Sequence, residues 1–175
     1  MNKIIILSST NRPNSNTLKV SKIYGKILAD AGVDYQIFDL QALPRDIAFS
    51  ESFGNRSSEY DTLLNNEIRP FNKFIIVMPE YNGSFPGILK TFIDSLHPKD
   101  WANKKVCLVG VADGRAGNLR GMEHLTGILH YLKMHVFYNK LPISMVNKLF
   151  DEQFNFNSEE QMKVCKMQVE GFLSF

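Results

Sequence analysis

Residues 71–94 read FNKFIIVMPEYNGSFPGILKTFID. Residues 71–78 are apolar almost throughout, which predicts a strand buried on both faces, the pattern of a parallel sheet covered by helices. At Pro79 the run breaks into a turn with Asn82-Gly83 at its centre, and a helix is predicted over residues 85–96. One buried strand, one tight turn and one amphipathic helix make a βα unit, and the rest of the chain repeats the pattern.

Upstream, residues 3–7 are a short β-branched run that stops at the polar loop STNRPNSNT, residues 9–17. From Thr17, apolar residues recur at Leu18, Val20, Ile23, Tyr24, Ile27, Leu28 and Ala31, the period of a helix, with Gly32 suited to its stop. Residues 33–40 read as a second strand, and a short helix is expected over about 59–69. Downstream, Lys105–Val111 is a fourth strand, followed by the loop ADGRAGNLRG, residues 112–121. Leu119, Met122, Leu125, Leu129 and Leu132 form the next helical stripe. Residues 134–138 read as a fifth strand, and a last helix starts near Ser158. Alternating strands and helices predict an α/β fold, a parallel sheet doubly wound by helices on both faces. No repeat, low-complexity tract or linker divides residues 1–175, so one domain is expected.

Hydrophobic residues make up 44% of the chain and charged residues 22%, enough for a core without metal or disulfide staples. The formal net charge of +2 gives no reason to expect a nucleic-acid or membrane partner. The two cysteines, Cys107 and Cys165, lack ligand-like spacing, and Cys107 reads as a buried small hydrophobe. The start MNKIIILSST holds only four apolar residues before turning polar, too few for a leader or a span, so a cytoplasmic protein is expected. His124, His130 and His135 have no triad or ligand spacing, and no metal site is expected.

In a doubly wound sheet the strands' carboxyl ends share one edge, where ligands bind. The loops after strands 1, 3 and 4 meet there, and they are the most unusual stretches of the sequence. The first offers hydroxyls, amides and Arg12 ahead of a helix N-terminus, which suits a phosphate; a plain N-cap at Ser15, Asn16 or Thr17 accounts for everything except the arginine. In the second, an Asn82-Gly83 turn, a cap at Ser84 and Pro86 in the first helical turn leave Glu80, Tyr81 and Gly87 without a role. A tyrosine beside free backbone groups suits a flat heteroaromatic ring. The third places glycines with Arg115 and Arg120, or is a loop with a helix cap at Asp113 or Asn118. There is neither a Walker loop nor a G-x-G-x-x-G after any strand, against nucleotide-triphosphate or dinucleotide folds.

Over its whole length the chain resembles the NADPH-dependent FMN reductase family. Residues 79–94 match the family's P-x-Y-N-x-S-x-P-x-x-L-K-x-x-I-D signature, Thr10, Arg12 and Ser15 match [ST]-x-R-x-x-S, and Gly114, Gly117, Asn118 and Arg120 approximate G-x-x-G-G-x-R. The departures are Ser9 for a usual Gly, Ala112 for a common Ser, and Asn118 for the second Gly of a pair. The resemblance implies a flavodoxin-like, five-stranded parallel sheet in the order 2-1-3-4-5. It implies FMN as cofactor and NADPH or NADH as co-substrate. Thr10, Arg12, Ser15, Asn16 and Thr17 would hold the FMN phosphate. Pro79, Glu80, Tyr81 and Asn82 would line the ring, and Asp113, Gly114 and Arg115 would close its other side. It implies hydride passing through flavin N5 to a small acceptor such as a quinone, azo compound, flavin or metal oxyanion, with no catalytic protein residue, in a homodimer or homotetramer. Two rivals share the fold: a flavodoxin-type electron carrier, whose T-x-T-G-x-T loop and strong acidity are missing here, and a non-enzymatic flavin-binding scaffold or sensor.

Overall fold

The computed structural model describes residues 3–175; Met1 and Asn2, at the head of the expected domain, lie outside the described residues. Its elements are β1 (Ile4–Ser8), α1 (Asn16–Asp30), β2 (Tyr35–Asp39), α2 (Ile47–Ser50), α3 (Ser58–Glu67), β3 (Lys73–Pro79), α4 (Gly87–Ser95), β4 (Lys105–Val111), α5 (Leu119–Tyr131), β5 (His135–Val136), β6 (Leu141–Ile143) and α6 (Glu159–Ser174). The sheet runs β2-β1-β3-β4-β5, the expected flavodoxin-like order, and β1 pairs in parallel with both β2 and β3.

Alternation along each strand sorts side chains to two faces. Ile5, Leu7, Phe74 and Ile76 pack with Leu89 and Phe92 of α4 and Met122 and Leu125 of α5. Ile4, Ile6, Ile75 and Val77 face the other way, onto Val20, Tyr24 and Leu28 of α1 and Val169 and Phe172 of α6. Burying each of these large side chains contributes about 1.5–3 kcal/mol. Cys107 and Cys165 are both free and buried, and Cys107 lies in the α1/α6 core, as its apolar surroundings in the sequence foretell. Gly32, at φ 69, ends α1 in a Schellman turn in which Val33 N–H closes on Leu28 O and Gly32 N–H on Ala29 O.

One expectation is corrected. In place of a single fifth strand over 134–138, the edge is split in two and the sheet gains a sixth strand. Val106 pairs with Val136, and the next partner of β4 is Leu141 opposite Val109, so Cys107 and Leu108 face residues 137–140. The extra residues break the ladder. The gap is filled from below by Gln168 of α6, which is wholly buried: its Nε2 donates to Leu108 O (3.1 Å) and Asn139 O (2.7 Å), and its Oε1 accepts from Tyr24 OH (2.5 Å). Pro142, which lacks an N–H, is tolerated because β6 is an edge strand.

Candidate functional site

The carboxyl ends of β1, β3, β4 and β6 surround a cleft of about 570 Å³, within the range of small-molecule sites. The structure brings eight of the twelve expected residues onto its lining: Arg12, Ser15, Asn16 and Thr17 from the first loop, Pro79, Glu80 and Tyr81 from the second, and Asp113 from the third.

The first loop ends in a true N-cap. Ser15 Oγ accepts from Leu18 N (3.1 Å) and Ser15 O from Lys19 N. Of the orphan donors at the helix start, Ser15, Asn16 and Thr17 N–H are left unpaired among the described residues. Residues 9–17 contain no carboxylate, and Arg12 lines the same cleft. Hydrogen-bond donors, a helix dipole and a cation thus line the cleft together with the carboxylates of Glu80 and Asp113.

Thr10 is placed differently from expectation. It is fully buried, outside the cleft lining, and its Oγ1 accepts from Arg12 N (3.2 Å) and shares a hydrogen bond with Tyr81 OH (2.8 Å). Its hydroxyl therefore ties the first loop to the second.

The second turn also departs from its expected construction. Asn82 (φ 51) and Gly83 (φ 78) are both left-handed, and Tyr81 and Ser84 exchange backbone hydrogen bonds of 2.9 and 3.1 Å. This is a hairpin-type turn whose inner groups are paired. Ser84 does not cap α4: Pro86 stands at the N-cap, and Ser84 Oγ instead bonds His124 Nδ1 (2.9 Å). The main-chain groups of the turn with no partner among the described residues include Glu80 C=O and the N–H of Asn82 and Gly83. Asn82 itself lies off the lining.

In the third loop, Gly114 and Arg115 are exposed and off the lining, and their carbonyls accept from Met145 N (3.2 Å) and Ser144 Oγ (2.6 Å). Neither Asp113 nor Asn118 caps α5 with its side chain. Asn118 occupies the N-cap at φ 66 without a side-chain cap bond and turns its amide to the end of β3.

Val146 and Asn147 line the cleft and were missed from the sequence. Asn147 Oδ1 accepts from Asn16 Nδ2 (2.6 Å), fastening the start of α1 to the loop after β6. The signal was present, since a strand reaching Ile143 brings residue 147 to the ligand edge; the split strand concealed it. Asp39 ends β2 opposite Ser8. Burial pushes its carboxyl above the ordinary 3.8, with the Gln41 N–H pulling the other way.

A doubly wound parallel sheet in the order 2-1-3-4-5, with a donor-rich helix start and an aromatic turn lining one cleft at the strands' carboxyl ends, is the flavodoxin-like fold. Residues 2–148 match the family model described as NADPH-dependent FMN reductase, and the chain belongs to that family. It is similar to a 2-hydroxy-1,4-benzoquinone reductase from a Burkholderia species, with 28% identity over 109 residues, 60% of this chain and 58% of that protein. The aligned stretch thus spans less than two thirds of that relative. An FMN-dependent NADPH-azoreductase from Staphylococcus saprophyticus is 26% identical, with 99% of this chain and 94% of the relative covered. Among solved structures, the flavoenzyme NAD(P)H:(acceptor) oxidoreductase FerB from Paracoccus denitrificans superposes with a TM-score of 0.78 at 18% identity, covering 99% of this chain and 96% of that one, a likeness of fold. No helix among the described residues is long and apolar enough to cross a membrane.

The family's cofactor is FMN, and the donor set fits it. Three unpaired N–H groups and a guanidinium suit a phosphate, and the free groups of the 80–83 turn suit the hydrogen-bonding edge of a flat ring.

Proposed function

We propose that the chain is an FMN-dependent NAD(P)H oxidoreductase that reduces small flat acceptors such as quinones or azo compounds, working as one domain in the cytoplasm. The observation that carries this reading is the polarity of the cleft: phosphate-suited donors at the start of α1 and an aromatic turn at the end of β3. Ser15, Asn16 and Thr17 N–H with Arg12 would hold the phosphate. Tyr81 would pack beside the ring, and Glu80 C=O with the Asn82 and Gly83 N–H groups would read its edge. Asp113, with Gly114 and Arg115 behind it, would bound the far side. FMN, when bound, supplies the redox chemistry between nicotinamide and acceptor. The protein's part is to orient both ligands and to keep one face open, and no side chain needs to move a proton.

A homodimer or homotetramer is part of the proposal. Phe53 and Tyr131 are 91% and 83% exposed and border an apolar groove with Ile93, Leu96 and Ile128 between α4 and α5. Such a patch on a small protein suits a second copy of the chain. Light scattering on the purified protein reads the assembly directly.

The main experiment is a visible spectrum before and after adding FMN, followed by NADPH and NADH oxidation with a quinone. A yellow protein with steady turnover supports the reading and excludes a pure electron carrier. A preparation that stays colourless with FMN overturns it.

A further inference from the structure

We infer that Asn118 is a positioning residue for the flavin ring, acting through the carbonyl end of β3; this rests on the FMN reading above. Asn118 is wholly buried at the head of α5 in a left-handed conformation. An asparagine at an N-cap ordinarily turns its side chain onto the first N–H groups of its own helix. This one does not, and α5 begins without a side-chain cap. Its Nδ2 instead donates to two consecutive carbonyls on another element, Met78 O at 3.2 Å and Pro79 O at 2.9 Å. The amide's orientation is fixed by this pair, since the reverse would set an oxygen against two oxygens. Its Oδ1 is buried with no partner among the described residues, a cost the fold accepts to keep the two bonds.

The fold also clears a socket for this side chain. A Cβ on Gly121 would lie 2.1 Å from Asn118 Oδ1. The carbonyls that Asn118 holds lead directly into Pro79, Glu80 and Tyr81 on the cleft wall. The third loop thereby sets where the second presents its ring-binding edge.

The test uses the full chain stripped of flavin, with FMN and riboflavin titrated by fluorescence quenching and the bound spectrum and thermal unfolding recorded alongside. Asn118→Gly suits the left-handed backbone and removes only the strut. Losing two hydrogen bonds predicts about tenfold weaker FMN binding, the same factor for riboflavin, a shifted flavin spectrum, and a retained fold. Asn118→Asp puts an acceptor before two carbonyls; binding should be weaker still at pH 8 and recover toward the glycine variant at pH 5, where a protonated acid can donate. Affinities within twofold of wild type with an unchanged spectrum overturn the inference. So does a fall in unfolding temperature with normal binding by the folded fraction, or the lack of any pH recovery in Asn118→Asp. If wild type binds no flavin, it is the FMN reading that fails. The strut is then judged by hydrogen exchange at the Glu80 and Tyr81 amides, which should quicken in Asn118→Gly, and unchanged exchange overturns it.

Discussion

Thr10 Oγ1 and Tyr81 OH lie 2.8 Å apart, joining the loop after β1 to the loop after β3. The same Thr10 oxygen accepts the Arg12 N–H, so one buried hydroxyl organises both the arginine and the tyrosine.

Tyr81→Phe keeps the ring and removes the phenol from this pair, and Thr10→Val removes the other hydroxyl. A net hydrogen bond is worth about 1 kcal/mol, so Tyr81→Phe should weaken FMN about fivefold with the fold unchanged. Thr10→Val should cost more, because it also strands the Arg12 N–H. A double-mutant cycle on FMN affinity should return a coupling of about 1 kcal/mol. Strict additivity would mean that the contact does not carry over to the flavin complex.

In the proposed reading Arg12 holds the FMN phosphate. Arg12→Ala should weaken FMN at least tenfold, from the loss of a charge-assisted bond worth about 1.5–3 kcal/mol. Riboflavin, which lacks the phosphate, should bind wild type and variant alike. Equal losses for both ligands would move the arginine away from the phosphate.

Gln168→Leu keeps bulk in the core but leaves Leu108 O, Asn139 O and Tyr24 OH without their partner. Stranded buried groups cost about 1–3 kcal/mol each, and together they should remove much of the domain's stability in urea unfolding. An unchanged midpoint would show that water fills the break equally well.

Asp39 gives a pH signature. Its folded carboxyl is raised above 3.8 by burial, so the proton is held more tightly in the folded state. That contribution to stability is full below 3.8 and is lost as the pH rises through the folded value. Asp39→Asn keeps an oxygen for Gln41 N and removes the charge. It should raise the unfolding temperature at pH 7 and lose that advantage at pH 3. A gain of equal size at both pH values would remove the carboxyl from the explanation.

The sheet could be read from residues 4–8, 73–79 and 105–111 because buried parallel strands are continuous apolar runs. The first and second loops were legible for a different reason, since Arg12 and Tyr81 exceed what a cap or a turn requires. The fifth strand was not legible. Residues 138–140 interrupt the apolar pattern, and their ladder is completed by a side chain from residue 168, a partner no local pattern reveals. Thr10 and Ser84 illustrate the same limit: each was assigned to the nearest task in sequence, and each bonds a residue 71 or 40 positions away.

The plug at Gln168 also bears on what holds the edge of the cleft in place. The break between β5 and β6 is sealed by an amide on α6, the last helix described, while Lys73 Nζ, at the start of β3, holds that helix's terminal carbonyls at Phe172 and Leu173. Strands β1 to β4 pair with one another through their own backbones, whereas Asn139 O, on the edge that leads to Asn147, takes its partner from Gln168, 29 residues further along the chain. The wall of the cleft that carries Asn147 is therefore tied to the sheet partly through a side chain of α6, so loosening that helix should loosen the wall as well.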